Sequence, residues 1–151
     1  MSRYDDIITA LRTRLALIKI SDGYRTDAGS RVWLNLEYQT APAAKPCVIV
    51  YPGDVSDSLD GDVPPSLGEE NHSLSIKLEG FIDDSETGYQ GQALRQDILQ
   101  VFNADRSLGN LVELVDPGLS SGATTEESAA GFVSFVNVEF TLNYVTLLGG
   151  A

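Results

Sequence analysis

The chain is 151 residues long and 42% hydrophobic, with 22 acidic against 10 basic residues and a formal charge of −12. Its single histidine and single cysteine leave little for acid–base catalysis near neutral pH, or for a metal site, which usually takes two or more His or Cys ligands. The acid excess argues against a protein that grips nucleic acid, because phosphate contacts need Lys and Arg.

The length fits one domain around one core, so residues 1–151 are expected to fold as a single unit. No basic start followed by an apolar run marks a signal peptide. No stretch of sequence approaches the ~18 apolar residues of a membrane span. A lone Cys47 makes no internal disulfide, so packing alone must hold the fold.

Residues 4–20 place Ile7, Ile8, Leu11, Leu15 and Ile18 on one helical stripe, and Ser21-Asp22-Gly23 ends that helix. Residues 31–38 alternate, with Val32, Leu34, Leu36 and Tyr38 opposite Arg31, Trp33, Asn35 and Glu37. That is the pattern of a half-buried strand. After an Ala/Pro-rich turn at 40–46, the apolar run 47–51 predicts a central strand with Cys47 buried, stopped by Pro52-Gly53. Residues 54–70 read as a long acidic loop, with limits near 53 and 71. It carries Asp54, Asp57, Asp60, Asp62, Glu69 and Glu70 around Pro64-Pro65. A loop of this length either orders on a partner or is simple solvated slack.

Residues 73–82 alternate again, and the phase slip at Gly80 predicts a bulge before Phe81. Residues 88–103 form a second helix, with Thr87 and Gln90 at capping-box spacing and Leu94, Ile98, Val101 and Phe102 as its stripe. Residues 111–115 read as a short strand stopped by Asp116-Pro117-Gly118, and 118–130 as a small polar loop. In 132–146, Phe132, Val136, Val138, Phe140, Leu142 and Tyr144 share one face of a long strand. The order helix, strand, strand, strand, helix, strand, strand predicts an α+β domain. Its sheet is mainly antiparallel or mixed, with the two helices packed on one face.

Three chemical motifs have plainer readings. Gly118-Leu119-Ser120-Ser121-Gly122 fits G-x-S-x-G, but a hydrolase elbow needs a strand-to-helix turn and a later histidine, and the only histidine here is upstream at His72. A calcium loop starting at Ser56, Ser58 and Asp60 would put Leu67 where a bidentate Glu is required. His72, between Asn71 and Ser73, reads as an ordinary surface residue. The sequence therefore predicts no enzyme, no catalytic, cofactor-binding or metal-ligating residue, and no cofactor.

Surface chemistry is more telling. Trp33 lies on the polar face of its strand, and Val133, Phe135, Val145 and Leu147 add apolar area to the nominally exposed face of the last strand. A soluble monomer seldom bares such area. Val133, Phe135 and Val145 are therefore candidate contacts with a subunit or partner; Trp33 is another such candidate, or else it covers the outer surface of the sheet under a loop. Closed rings arise when one patch meets a different patch on the next copy.

An amphipathic helix leading into Gly23-Tyr24-Arg25-Thr26-Asp27 and a strand, then the strand ending at Pro52, a long loop, a strand into a second amphipathic helix, and a long final strand together resemble the tail terminator (minor tail protein U-like, tail completion) family of long-tailed bacteriophages. The resemblance spans most of the chain and carries no catalytic signature. It implies a small α+β subunit that assembles as a homohexameric ring on the head-proximal end of the tail tube. Such a ring stops tube polymerisation and presents a surface to a neck or head-completion protein, while DNA passes through without specific binding. It further implies a place in the virion tail, reached from the host cytoplasm, and no membrane. Asp54, Asp57, Asp60, Asp62, Glu69 and Glu70 would belong to a segment that orders on assembly, or to an acidic lumen that repels phosphate over a Debye length of ~8 Å. The competing expectations are another neck or connector component, and an acidic interaction module that mimics DNA.

Overall fold

The structure, a computed structural model, describes residues 3–34, 45–58, 69–129 and 131–147. Helix α1 is Arg3–Leu15. Two single 3-10 turns follow at Ile20–Asp22 and Ala28–Ser30. Then come β1 (Val32–Leu34), β2 (Cys47–Ser58), β3 (Glu69–Asp84), helix α2 (Tyr89–Ala104), β4 (Glu113–Ser128) and β5 (Gly131–Leu147). Among the described residues the sheet has five strands in the order β1-β2-β3-β5-β4. Only β1 and β2 run parallel; the other neighbours are antiparallel. The fold is α+β, as the element order requires.

Both helices cover one face of this sheet. Ile7, Leu11, Leu15 and Ile18 from the first helical segment, and Leu94, Ile98, Val101 and Phe102 from α2, meet Val48, Val50, Leu74, Ile76, Leu78, Val136, Val138 and Leu142 in one buried cluster. Phe102 packs on Phe140 with ring centroids 5.1 Å apart. These are the stripes and alternations visible in the sequence, because burial enforces the 3.6 and 2.0 periods on helix and strand.

Several expectations are corrected. Helix α1 ends at Leu15, not at residue 20. Beyond its end the returning chain closes against the next turn, where the Gly29 amide donates to the Ile18 carbonyl at 2.8 Å. A Cβ at Gly29 would lie 2.7 Å from the carbonyl oxygens of Leu15, Ala16 and Ile18, so only glycine passes that close.

Pro52-Gly53 does not stop β2, which continues to Ser58 across a register shift between Pro52 and Val55. Likewise, Asp116-Pro117-Gly118 does not end β4, and 118–130 is not a loop. The strand runs to Ser128 across a shift between Val115 and Ser120, and it starts at Glu113 rather than 111. In both strands a bulge takes up the residues that cannot join the ladder.

Gly80, in contrast, holds no bulge. β3 pairs without interruption through Gly80 with Val48 and Val136. A Cβ at Gly80 would meet Leu94 Cδ2 at 2.8 Å; glycine there admits helix α2 onto the sheet. The expected acidic loop at 54–70 is shorter than its sequence suggests. Asp54 and Asp57 lie in β2, and Glu69 and Glu70 lie in β3. Asp60, Asp62 and Leu67 fall outside the described residues, as do Asn35, Leu36, Glu37 and Tyr38 of the first predicted strand.

The capping box at Thr87 and Gln90 is also replaced. Gly88 is the N-cap residue of α2 and offers no side-chain cap. The Asp84 carboxylate at the end of β3 caps the helix instead, accepting from the Gly91 amide at 2.8 Å and the Gln90 amide at 3.2 Å. A carboxylate suits this place, because amides and helix dipole both favour negative charge.

Candidate interaction surface

The face of the sheet away from the helices carries the predicted interface residues. Strand register sets them in rows. Asp83, Val133 and Glu126 lie side by side across β3, β5 and β4, and Phe81, Phe135 and Thr124 form the next row. The Phe81 and Phe135 rings meet edge to face at 5.2 Å, the favoured geometry of an aromatic pair. Both rings and Val133 are half-buried.

Beside them on β2, Cys47 pairs with Phe81 and Ile49 with Glu79, and both Cys47 and Ile49 are buried. Burial pushes the Cys47 thiol up from its usual pKa, so the thiol behaves as a small hydrophobe. Trp33 pairs with Ile49 across β1 and β2. It is half-buried, and its indole N–H, shielded from water, meets no acceptor among the described residues.

Trp33, Val133 and Phe135 thus share one face with Phe81, which the sequence reading had treated only as the site of a phase slip. Val145 is 42% exposed and sits opposite Asn71 at the far end of the same sheet, apart from that cluster. Asp57 pairs with His72 near this far end, and Glu69 and Glu70 pair with Leu147 and Thr146. Asp57, Glu69 and Glu70 therefore lie at the end of the sheet opposite the aromatic rows, with Asp54 midway along β2.

The helical layer bears a second exposed apolar group that sequence reasoning missed. Leu17 is 41% and Ile20 57% exposed, just beyond the end of α1. The sequence signal was present: both interrupt the polar face of residues 4–20 once the helix stops at Leu15. Charge is also divided. Residues 1–31 hold six bases against four acids, net +2, leaving −14 on the remainder of the chain. Around Ile20 the charges balance, with Lys19, Asp22, Arg25 and Asp27 all exposed, whereas the aromatic rows are flanked by Glu79, Asp83 and Glu126. Lys77 pairs with Glu79 at 3.2 Å, and Lys45 with Asp83 at 3.6 Å; solvent-exposed pairs of this kind contribute little.

The motif that carries the family resemblance has a structural task. Asp97 of α2, 1% exposed, accepts from the Arg25 amide at 3.0 and 3.1 Å, and from the Thr26 amide and hydroxyl at 2.8 Å each. Asp27 accepts from the Ile20 amide at 2.8 Å. Tyr24-Arg25-Thr26-Asp27 is therefore a latch that ties the segment after α1 to α2. It offers no reacting group.

The chemical candidates are placed as follows. Ser120 lies inside β4 opposite Glu139, without the strand-to-helix turn that a nucleophile elbow needs. His72 is not an ordinary surface residue. It is half-buried and stacked on Tyr144 at 4.8 Å, with its Nε2 2.7 Å from the Thr146 hydroxyl. It lines a groove of about 560 Å³ with Arg3, Asn110, Glu113, Asn143 and Tyr144.

Among the described residues no group of three His, Cys, Asp or Glu could hold a metal ion. No described helix is long and apolar enough to cross a membrane. No family model matches the chain, and no curated protein matches it.

Proposed function

We propose that this protein is a non-enzymatic structural component of a bacteriophage virion: a tail terminator. Its copies close into a ring, of six by the family resemblance, on the head-proximal end of the tail tube. The ring halts tube growth and offers the surface to which a neck or head-completion protein joins. DNA passes through it without specific contacts.

The observation that carries this reading is the half-open apolar face formed by Phe81, Val133 and Phe135 beside Asp83, Glu79 and Glu126. Apolar area set in a polar rim is what a subunit buries against a neighbour. Two further features support it. The α+β architecture is the one the resemblance implies, and the matching Gly23–Asp27 segment is held by a buried carboxylate. The charge of −12 also suits a passage that must release DNA, since an acidic wall repels phosphate.

Native mass spectrometry and negative-stain imaging test the proposal, with and without purified tail tubes. Rings, and their attachment to one end of the tube, are the expected result. A protein that stays monomeric at every concentration and ignores tube ends refutes it.

A further inference from the structure

The chain between α1 and β1 doubles back on itself. The Gly29 amide donates to the Ile18 carbonyl at 2.8 Å, and Ile18, Ala28 and Gly29 are buried. The two ends of residues 19–27 therefore meet at a neck set in the core. Beyond the neck the segment is an Ω-loop, a compact excursion whose ends lie close together. It carries bonds of its own. The Asp22 and Tyr24 amides donate to the Lys19 carbonyl at 3.0 and 3.2 Å, and the Gly23 amide to the Ile20 carbonyl at 3.1 Å. The Ile20 amide donates to the Asp27 carboxylate at 2.8 Å. At the neck, the Ser30 amide donates to the Asp27 carbonyl. Every other hydrogen bond from 19–27 to the rest of the described residues ends on Asp97. Of the side chains in 19–27 only Thr26 is buried, and Tyr24 is half-buried against the core cluster.

We propose that residues 19–27 form a strap that opens and closes as one unit about the Ile18–Gly29 neck, with Asp97 of α2 as its lock. Ordering a stretch of chain costs conformational entropy at every residue. The strap's internal bonds lie at an exposed surface and are readily exchanged for bonds to water, so they offset little of that cost. The Asp97 contacts differ. Its carboxylate is 1% exposed, and bonds to an ionised acceptor are the stronger kind. Losing them therefore releases the whole strap, not Arg25 and Thr26 alone. The neck holds, because Ile18 and Ala28 are buried and Gly29 passes close to the carbonyl oxygens of Leu15, Ala16 and Ile18. Ile7, Leu11 and Leu15 stay packed in the core. The strap is thus a two-state element of the helical layer, one that a bound partner can bias without disturbing the sheet. The proposal stands apart from the ring reading and does not depend on it.

The test is amide-resolved native-state hydrogen exchange on the full chain and on its Asp97→Asn variant. In the parent protein the amides of Ile20, Asp22, Gly23, Tyr24, Arg25 and Thr26 are expected to share one level of protection and one response to low urea. Both should fall below those of Gly29 and of the amides in β3 and β5. In Asp97→Asn all six should lose protection together, by about tenfold or more, as the loss of bonds to a charged acceptor implies, while Gly29 keeps its own. Asp22, Gly23 and Tyr24 decide the matter, since their amide bonds do not involve Asp97. Protection lost only at Arg25 and Thr26 overturns the proposal and makes Asp97 a local acceptor. Loss that spreads to Gly29 or to the strands overturns it as well. If the variant does not fold, the parent protein decides alone: a shared urea response of the six amides supports the strap, and separate responses overturn it.

Discussion

On β5 the two faces of one strand are treated in opposite ways. Val136, Val138 and Leu142 are buried under the helices, while Val133 and Phe135, one residue out of phase, stay half open. The inner residues meet Leu94, Ile98 and Phe102 of α2. Of the outer ones, Phe135 meets the Phe81 ring of its own sheet. A fold that needs only one layer of helices needs only one apolar sheet face. On the other face Cys47 and Ile49 are buried as well, so it is the area left half open there that points to a partner.

Truncation on the two sides should separate these roles. Phe102→Ala removes a fully buried ring packed on Phe140 and is expected to cost ~3–5 kcal/mol of stability. Phe135→Ala opens a half-exposed site and should cost less than about 2 kcal/mol in the monomer, while weakening association. Urea titration under dilute, dissociated conditions reads the first quantity for both variants. Equal losses would break the comparison, because they would make the outer face part of the folding core.

The helical side also depends on one polar anchor. Asp97→Ala leaves the Arg25 and Thr26 amides and the Thr26 hydroxyl without their acceptor. Each buried group so stranded costs ~1–3 kcal/mol; the expected total, after partial relaxation toward water, is about 3 kcal/mol. Hydrogen exchange should then rise at Arg25 and Thr26 before it rises in β3 or β5. Loss of protection everywhere at once would show that the latch is inseparable from the core.

How much of this was legible in the sequence depends on what made the signal. The stripes of α1 and α2 and the alternation of β5 were plain, since each is a run of side chains answering to one buried face. The Pro-Gly punctuation misled in both β2 and β4 for a shared reason. Local chemistry marks where a strand would break if left alone, but β3 and β5 are long templates, and pairing to them carried the chain across each break as a bulge.

Gly80 misled differently. Its vacancy serves Leu94, a residue 14 positions away in another element, and no local pattern encodes that distance. Of the candidate surface, Trp33, Val133 and Phe135 were readable as apolar residues out of phase. Phe81 and the Leu17–Ile20 shoulder emerged only when strand register and helix end were fixed. Asp97 was invisible, because a single acid in a helix looks like a solvated face until its partners are known.

The smallest expected effect concerns the junction between the two faces, where β3 gives way to α2. Burial by itself would raise the Asp84 pKa, but the Ser134 hydroxyl and the amides of Gly91, Ser85 and Gln90 outweigh it and hold the carboxyl below the usual carboxylate value. A carboxyl with a lowered folded pKa stabilises the fold above its unfolded value of ~3.9 and loses that contribution as pH falls through the folded value. Asp84→Asn should therefore cost about 1 kcal/mol near pH 7, as helix caps do, and the cost should shrink as pH falls through the lowered folded value of the Asp84 carboxyl. Asp105 is lowered too, by the Ser107 hydroxyl and then the Gly109 amide, so the variant should lessen rather than abolish the acid dependence. Chemical denaturation at a series of pH values checks this. A cost that stays constant down to pH 2 would mean that the Asp84 charge does no capping, and that the helix start is fixed by the packing of Gly91 on Ser134 alone.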